Sequence, residues 1–420
     1  MPERALTVTA QFDGMSMDGT AASFSEELGL LSKACGLILV GSRIWRNLRP
    51  QSGTLIGKGK LEEIRTEVVR ASVDVVVFGC SLTGTQQRNI EEALGVKTID
   101  RTQLILDIFA RRARSLESQL QVELAQLKYL LPRLTGKGVA LSRLGGGVGT
   151  RGPGEQKLEV DRRRVREKIT RLSRELRQLA RRRADAIDKK KKGDRPLVAL
   201  AGYTNAGKST LFNALTLAST LTRDQLFSTL DTTTRLAQLP DRTEILLSDT
   251  VGFIADLPHD LIEAFKSTLE EVVQADLLLH VIDASAADLE VRTQAVMKVL
   301  GELGADPARI WHVYNKSDRL SVAPSEPERC GRAFCVSALT GLGLDALKQA
   351  ISDHFASHRR RCVVYASSAL AGEVGHFLYR TAHVIGRVDR ESGTEWQVRI
   401  DEKDLRKLTR SYGPGVTIRE

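Results

Sequence analysis

Apolar runs and helical stripes divide this chain into stretches of different character. Strand-like runs at 36–40, 73–78 and 96–99 alternate with helical segments at 60–71 and 86–94, the pattern of a small α/β domain spanning 1–110. Residues 111–192 carry two helix stripes instead. Leu116, Leu120, Leu124, Leu127, Leu131 and Leu134 form the first, and Leu158, Val165, Ile169, Leu172, Leu176 and Leu179 the second, stepping mostly by three and four as coiled-coil seams do. The spacing predicts two helices packed against each other, broken after Pro132. Apolar runs return at 197–201, 245–247, 310–314 and 334–336, each ending in a polar or glycine-bearing loop. That is the pattern of a doubly wound α/β sheet, which binds ligands at the carboxyl ends of its strands, and it places a domain at 193–358. The remainder, 359–420, alternates strand-like runs (363–365, 396–400) with a helical one near 373–383 and a closing helix, with nothing that assigns it a function.

The chemistry sits in the loops of the third stretch. Gly202-Tyr203-Thr204-Asn205-Ala206-Gly207-Lys208-Ser209 follows a strand-like run and opens a helical stretch at Thr210-Leu211-Phe212. In that context backbone N–H groups surround phosphates, Lys208 reaches the terminal ones and Ser209 offers its hydroxyl to Mg²⁺. A glycine-rich turn alone would mark only a turn. Here the full pattern stands between strand and helix. Asn315-Lys316-Ser317-Asp318 lies at the end of the run 310–314, so Asp318 is placed to accept hydrogen bonds from guanine N1–H and the 2-amino group, a pair adenine lacks. Ser337-Ala338-Leu339 supplies a second loop for the base edge. Asp249-Thr250-Val251-Gly252 matches the segment whose Asp orders metal-bound water and whose Gly N–H meets the γ-phosphate. Phe253 follows, where many GTPases carry a water-orienting glutamine, so slow intrinsic hydrolysis is expected.

Between these motifs runs a Thr-rich segment, including Phe227-Ser228-Thr229-Leu230-Asp231-Thr232-Thr233, suited to closing over Mg²⁺ and the γ-phosphate. Thr229 is the expected metal-binding hydroxyl beside Ser209, with Thr233 as the alternative, and Lys208, Thr229 and Gly252 are the expected catalytic set. The motifs thus predict GTP and GDP as ligands and Mg²⁺ as cofactor.

Charge changes the picture of the middle stretch. The chain of 420 residues has a net charge of +10, but residues 111–192 hold 24 Lys and Arg against 9 Asp and Glu, so this segment carries +15 and the rest −5. Such concentration is the electrostatic footprint of a nucleic-acid partner, although a solvated helix face gives the same count. Between the helical stripes lie the 19 residues 136–154, eight of them Gly, with Lys137, Arg143 and Arg151. A loop of that length without structure is usually functional or disordered, and its pliable basic backbone suits folded RNA. Five cysteines with no C-x-x-C pair read as reduced thiols, and the seven histidines show no metal-ligand spacing. No run approaches the roughly 20 apolar residues of a membrane span, and the N-terminus lacks a signal-peptide core. A cytoplasmic monomer is expected, on ribosomes or peripherally on membrane.

The segments 100–110 (Asp-Arg-Thr-Gln-Leu-Ile-Leu-Asp-Ile-Phe-Ala) and 121–127 (Gln-Val-Glu-Leu-Ala-Gln-Leu), the 145–155 loop and the 202–209 motif together resemble the HflX family of translation-associated GTPases. The resemblance runs from about residue 57 to 354. It implies an N-terminal α/β domain, a helical hairpin, a GTPase domain, and binding to rRNA of the large ribosomal subunit, with splitting or rescue of stalled ribosomes. It also implies that the hairpin tip approaches the peptidyl-transferase region. Thr232 departs from the proline often found there. Two rivals remain: a nucleotide-gated RNA chaperone or helicase-like factor, and a metabolic kinase, against which the guanine motif stands.

Overall fold

In the computed structural model the described residues are 2–12, 21–134, 153–191, 195–216, 227, 230–255, 271–320, 332–357, 360–400 and 402–419. The chain forms two compact units, Met1–Ala237 with Ile245–Gly343, and Gln238–Glu244 with Leu344–Glu420.

The first unit begins with a parallel sheet of order β2-β1-β3-β4, built from β1 (Arg4–Phe12), β2 (Ile38–Leu48), β3 (Val75–Phe78) and β4 (Lys97–Asp100). Both faces are covered. Leu6, Val8, Val76 and Phe78 pack with Ile64 and Val68 of α2 (Lys58–Ala71) and Ile90 and Leu94 of α3 (Gly84–Leu94). On the other face Ala5, Val75 and Val77 share a core with Leu28 and Leu31 of α1 (Ala21–Ala34) and Leu104, Ile108 and Phe109 of α4 (Arg101–Arg112). β1 and α1 have no counterpart in the sequence reading. α3 starts on a capping box between Thr83 and Gln86 and ends on Gly95 in the left-handed region, the local chemistry of a helix with defined ends.

α5 (Leu116–Leu130) and α6 (Pro153–Lys191) are the two striped helices. Leu124, Leu172 and Leu176 are buried together, with Leu120, Leu127 and Ile169 packed around them, so the stripes do meet. Leu116 is a correction: it is 63% exposed, because the first turn of α5 is occupied by a different contact, described below. A second correction concerns the glycine loop, since Pro153 and Gly154 already form the first turn of α6, where proline's fixed φ is favourable. Residues 136–152 of that loop lie outside the described residues.

The second sheet has the order β10-β9-β8-β5-β7-β6, from β5 (Leu197–Gly202), β6 (Thr233–Gln238), β7 (Glu244–Asp249), β8 (Leu277–Asp283), β9 (Ile310–Asn315) and β10 (Ala333–Cys335). The pairs β10/β9, β9/β8, β8/β5 and β5/β7 are parallel. Helices α7 (Lys208–Thr216) and α8 (Leu289–Glu302) belong to the same unit. Its core is continuous with that of the first sheet: Tyr203, Phe227, Phe253 and Ile254 fall in one cluster with Leu104 and Phe109.

The second unit holds α9 (Leu344–Ser357), β11 (Arg360–Ser367), α10 (Ala371–Thr381), β12 (His383–Arg390), β13 (Gly393–Ile400), α11 (Glu402–Tyr412) and β14 (Val416–Arg419). Its strands form an antiparallel sheet of order β12-β13-β11-β14. No described helix is long and apolar enough to cross a membrane.

Candidate functional site

β5 is buried along its whole length and delivers residues 203–207 to the N-terminus of α7 at the carboxyl edge of the sheet. Gly207 sits at φ 90°, and a Cβ there would stand 2.3 Å from Asn315 Nδ2, so only glycine fits the turn. Lys208 is 6% exposed and its Nζ donates to the carbonyls of Gly202 (3.0 Å) and Tyr203 (2.9 Å). Burial lowers the Lys208 pKa to about 8, against the opposing pull of the Asp249 charge. Ser209 Oγ donates to Asp249 Oδ2 at 2.6 Å. Gly252 closes over the same point: a Cβ there would lie 2.9 Å from Thr204 Cγ2 and 3.1 Å from Lys208 Nζ. The two loops are joined through their backbones, since Phe253 N donates to Gly202 O (3.1 Å) and Thr204 N to Phe253 O (2.7 Å). The Phe253 side chain is 2% exposed and faces the core.

A second cluster faces these loops across Asn315. Asn315, 2% exposed, donates from Nδ2 to Ala206 O and accepts at Oδ1 from Ala338 N, both at 2.9 Å, so one amide ties the phosphate-type loop to the 337–339 loop. Lys316 adopts φ 64° and its Nζ donates to Asp283 Oδ2 at 2.7 Å. Burial acts to raise the Asp283 pKa, but the bonds from Lys316 and Ser285 and the Lys316 charge outweigh it and hold the carboxyl below its ordinary range. Ser337 Oγ donates to Asp318 Oδ1 at 2.5 Å, which orients that carboxylate. Thr250 is buried with its hydroxyl on Leu200 O, Val251 is buried, Thr210 lies in α7, Asn205 takes φ 62°, and Leu339 is 77% exposed. Ser228 and Thr229 lie outside the described residues. Thr233 opens β6.

The structure adds partners from α1 and α4, the helices on one face of the first sheet, that the sequence reading missed. The Tyr203 hydroxyl donates to Glu27 of α1 and accepts from Ala255 N at 2.9 Å. Arg101 Nη2 bonds both Glu27 Oε1 (2.6 Å) and Ala255 O (2.8 Å), while Arg292 lies over the Tyr203 ring. Burial first and then the Glu27 charge push the Tyr203 hydroxyl well above its ordinary pKa. Asp231 caps α5: it accepts from Arg114 N, Ser115 N, Ser115 Oγ (2.6 Å) and Ser118 Oγ. Against the tendency of burial to raise it, these bonds lower the Asp231 pKa. Phe227 meets Phe109 edge to face at 4.6 Å. In the sheet, His280 and His312 share a bond between their Nδ1 atoms at 3.2 Å, and burial followed by the neighbouring His312 lowers His280 to about 3.

An α/β sheet whose strand ends carry a G-Y-T-N-A-G-K-S loop, a D-T-V-G loop and N-K-S-D and S-A-L loops, joined through Asn315 and the Phe253 backbone, defines a P-loop GTPase. Residues 23–110 match the family described as GTP-binding GTPase N-terminal, 112–190 the GTP-binding GTPase Middle Region, and 197–316 the 50S ribosome-binding GTPase. The chain is 53% identical to GTPase HflX of Caldanaerobacter subterraneus over 77% of its length and 75% of that protein's, and 44% identical to GTPase HflX of Escherichia coli over 75% and 74%. The chain belongs to the HflX family of GTPases.

Proposed function

We propose that the chain is a Mg²⁺-dependent GTPase that times its action on the large ribosomal subunit by hydrolysis, contacts rRNA through residues 111–192, and splits or rescues stalled ribosomes in the cytoplasm. Four parts divide the work: 1–110, the arm 111–192, the GTPase domain 193–358 and a terminal domain 359–420. The observation that carries the reading is the convergence of Lys208, Ser209, Asp249 and Gly252 on one point, with Asp318 oriented by Ser337 across Asn315.

Lys208 exchanges its two loop carbonyls for phosphate oxygens, which restore the charge that burial disfavours. Hard oxygen donors on Ser209 and Asp249, 2.6 Å apart, suit Mg²⁺, with Thr229 supplying a further hydroxyl. When bound, the metal would neutralise phosphate charge. The Gly252 N–H meets the γ-phosphate, and Asp318 accepts the guanine N1–H and 2-amino group. Phe253 offers no hydrogen bond to a water and is packed away, so a group brought by the partner must orient the nucleophile. Co-sedimentation with purified large subunits tests the reading: binding is expected with a non-hydrolysable GTP analogue and weakened without nucleotide. Equal affinity for protein-free RNA and for subunits would favour a nucleotide-gated RNA chaperone instead.

A further inference from the structure

The last sixty residues follow the order strand, helix, strand, strand, helix, strand, with the antiparallel sheet order β12-β13-β11-β14. Both helices lie on one side: Val374 and Leu378 of α10 and Leu405 and Leu408 of α11 cover Cys362, Val364, Ala366, Trp396, Val398 and Ile400. The alternate residues of the two central strands therefore form an open face. This is the topology of ferredoxin-like modules, one class of which binds single-stranded RNA on the uncovered sheet with aromatic side chains beneath the bases. Topology alone assigns no function, so the side chains must decide.

They are of the right chemistry. Arg361 on β11 stands directly opposite Arg399 on β13, and Arg419 on β14 is opposite Val363, one row further along. All three arginines are exposed, and among the described residues none has an ion pair or side-chain hydrogen bond. Like charges directly opposed on a sheet cost stability unless an anion lies between them. In the next rows Gln397, exposed, offers an amide, and Tyr365 is held by its hydroxyl on Ser392 O at 2.7 Å. Among the described residues of the two central strands, the acidic one on this face, Glu395, is engaged by Arg390 at 3.1 Å. An acidic protein surface would satisfy the arginines but give the ring and the amide no role. Planar guanidinium groups, a fixed aromatic ring and an amide suit phosphates and unstacked bases together.

We propose that this face binds a short single-stranded RNA segment, its phosphates on Arg361, Arg399 and Arg419 and a base against Tyr365. It is a second RNA contact, separate from the arm and from the GTP site. The test uses the full chain and a fluorescent 12-nucleotide single-stranded RNA, titrated by anisotropy at several salt concentrations. Arg361→Ala with Arg399→Ala should weaken binding about tenfold and flatten the slope of log K against log salt by about 1.4, two phosphate contacts at about 0.7 each. Tyr365→Ala should weaken binding about tenfold with the slope unchanged, and Tyr365→Phe should restore it. Basal GTP hydrolysis should be the same in all variants. Photocrosslinks from 4-thiouridine RNA should appear in peptides of β11 and β13. Unchanged affinity and slope in the double arginine variant, as an acidic-protein partner would give, overturns the proposal; so do crosslinks confined to 153–191.

Discussion

At the scale of single residues, the base side of the site gives the sharpest expectation. Asp318 accepts from Ser337 Oγ at 2.5 Å, and in the proposed reading its carboxylate is the acceptor for the guanine N1–H and 2-amino group. Asp318→Asn should weaken GTP binding by at least a hundredfold and raise xanthosine triphosphate binding, because an amide presents a donor where guanine also donates. A nucleotide titration that found equal GTP affinity would remove Asp318 from the site. His280 makes a different prediction. It stays neutral in the fold down to about pH 3, whereas an unfolded histidine takes up its proton near 6.5. The unfolded state therefore binds more protons as pH falls below 6.5. Stability should drop by up to about 1.4 kcal/mol per pH unit from this group through the window from 6.5 to 3. His280→Phe should flatten that part of the profile in urea unfolding, and an unaltered profile would show that the acid sensitivity arises elsewhere.

At the scale of elements, the start of α5 is set by a residue more than a hundred positions away. Ser115 is an ordinary N-cap in sequence, its hydroxyl accepting from Ser118 N, yet Asp231 adds a carboxylate that takes the N–H groups of Arg114 and Ser115 just ahead of the first turn and the hydroxyls of Ser115 and Ser118. A negative charge there also favours the helix dipole. Asp231→Ala should destabilise the fold by about 1–2 kcal/mol, as loss of a helix cap does. Hydrogen exchange should rise first in the amides of 114–119; protection unchanged there would mean that the cap contributes nothing. The same contact explains why Leu116 breaks its stripe. The seam between α5 and α6 begins only at Leu120, so the coiled-coil spacing was legible and its starting point was not.

At the scale of the molecule, Tyr203 and Phe227 share one continuous core with α4 and with Val122 and Ala125 of α5, Phe227 meeting Phe109 and the Tyr203 hydroxyl bonding Glu27 of α1. Basal turnover should be slow, well under 1 s⁻¹ as in unassisted GTPases, with acceleration by large subunits. Fast hydrolysis indifferent to subunits would refute the idea that a partner orients the water. Replacing 136–154 by a short Gly-Ser turn should leave GTP binding intact and abolish ribosome splitting measured by light scattering. Part of the subunit affinity should remain through Arg162, Arg163 and Arg164 of α6, and that remainder should fall with salt. Full splitting by the shortened protein would separate the loop from the activity.

The sequence by itself determined what depends on neighbours along the chain. A phosphate-type loop, a guanine-type loop and a leucine stripe each need fixed residue types at fixed spacing, so 202–209, 315–318 and the α5/α6 seam could be read directly. Phe253 was equally legible as an apolar residue where a polar one is common, but its burial and its backbone bonds to 202 and 204 were not. Tertiary structure alone decided the rest. Nothing in the sequence marks Glu27 and Arg101 as partners, since a buried ion pair has no sequence pattern until its members meet. His280 and His312 became a pair only when β8 and β9 aligned in register. β14, four residues long, gains its meaning only by pairing beside β11, which turns an unassigned tail into a sheet with one face covered and one face open. Local motifs fix chemistry through spacing, while which groups are buried, paired or left facing solvent is fixed by contacts between residues far apart in the chain.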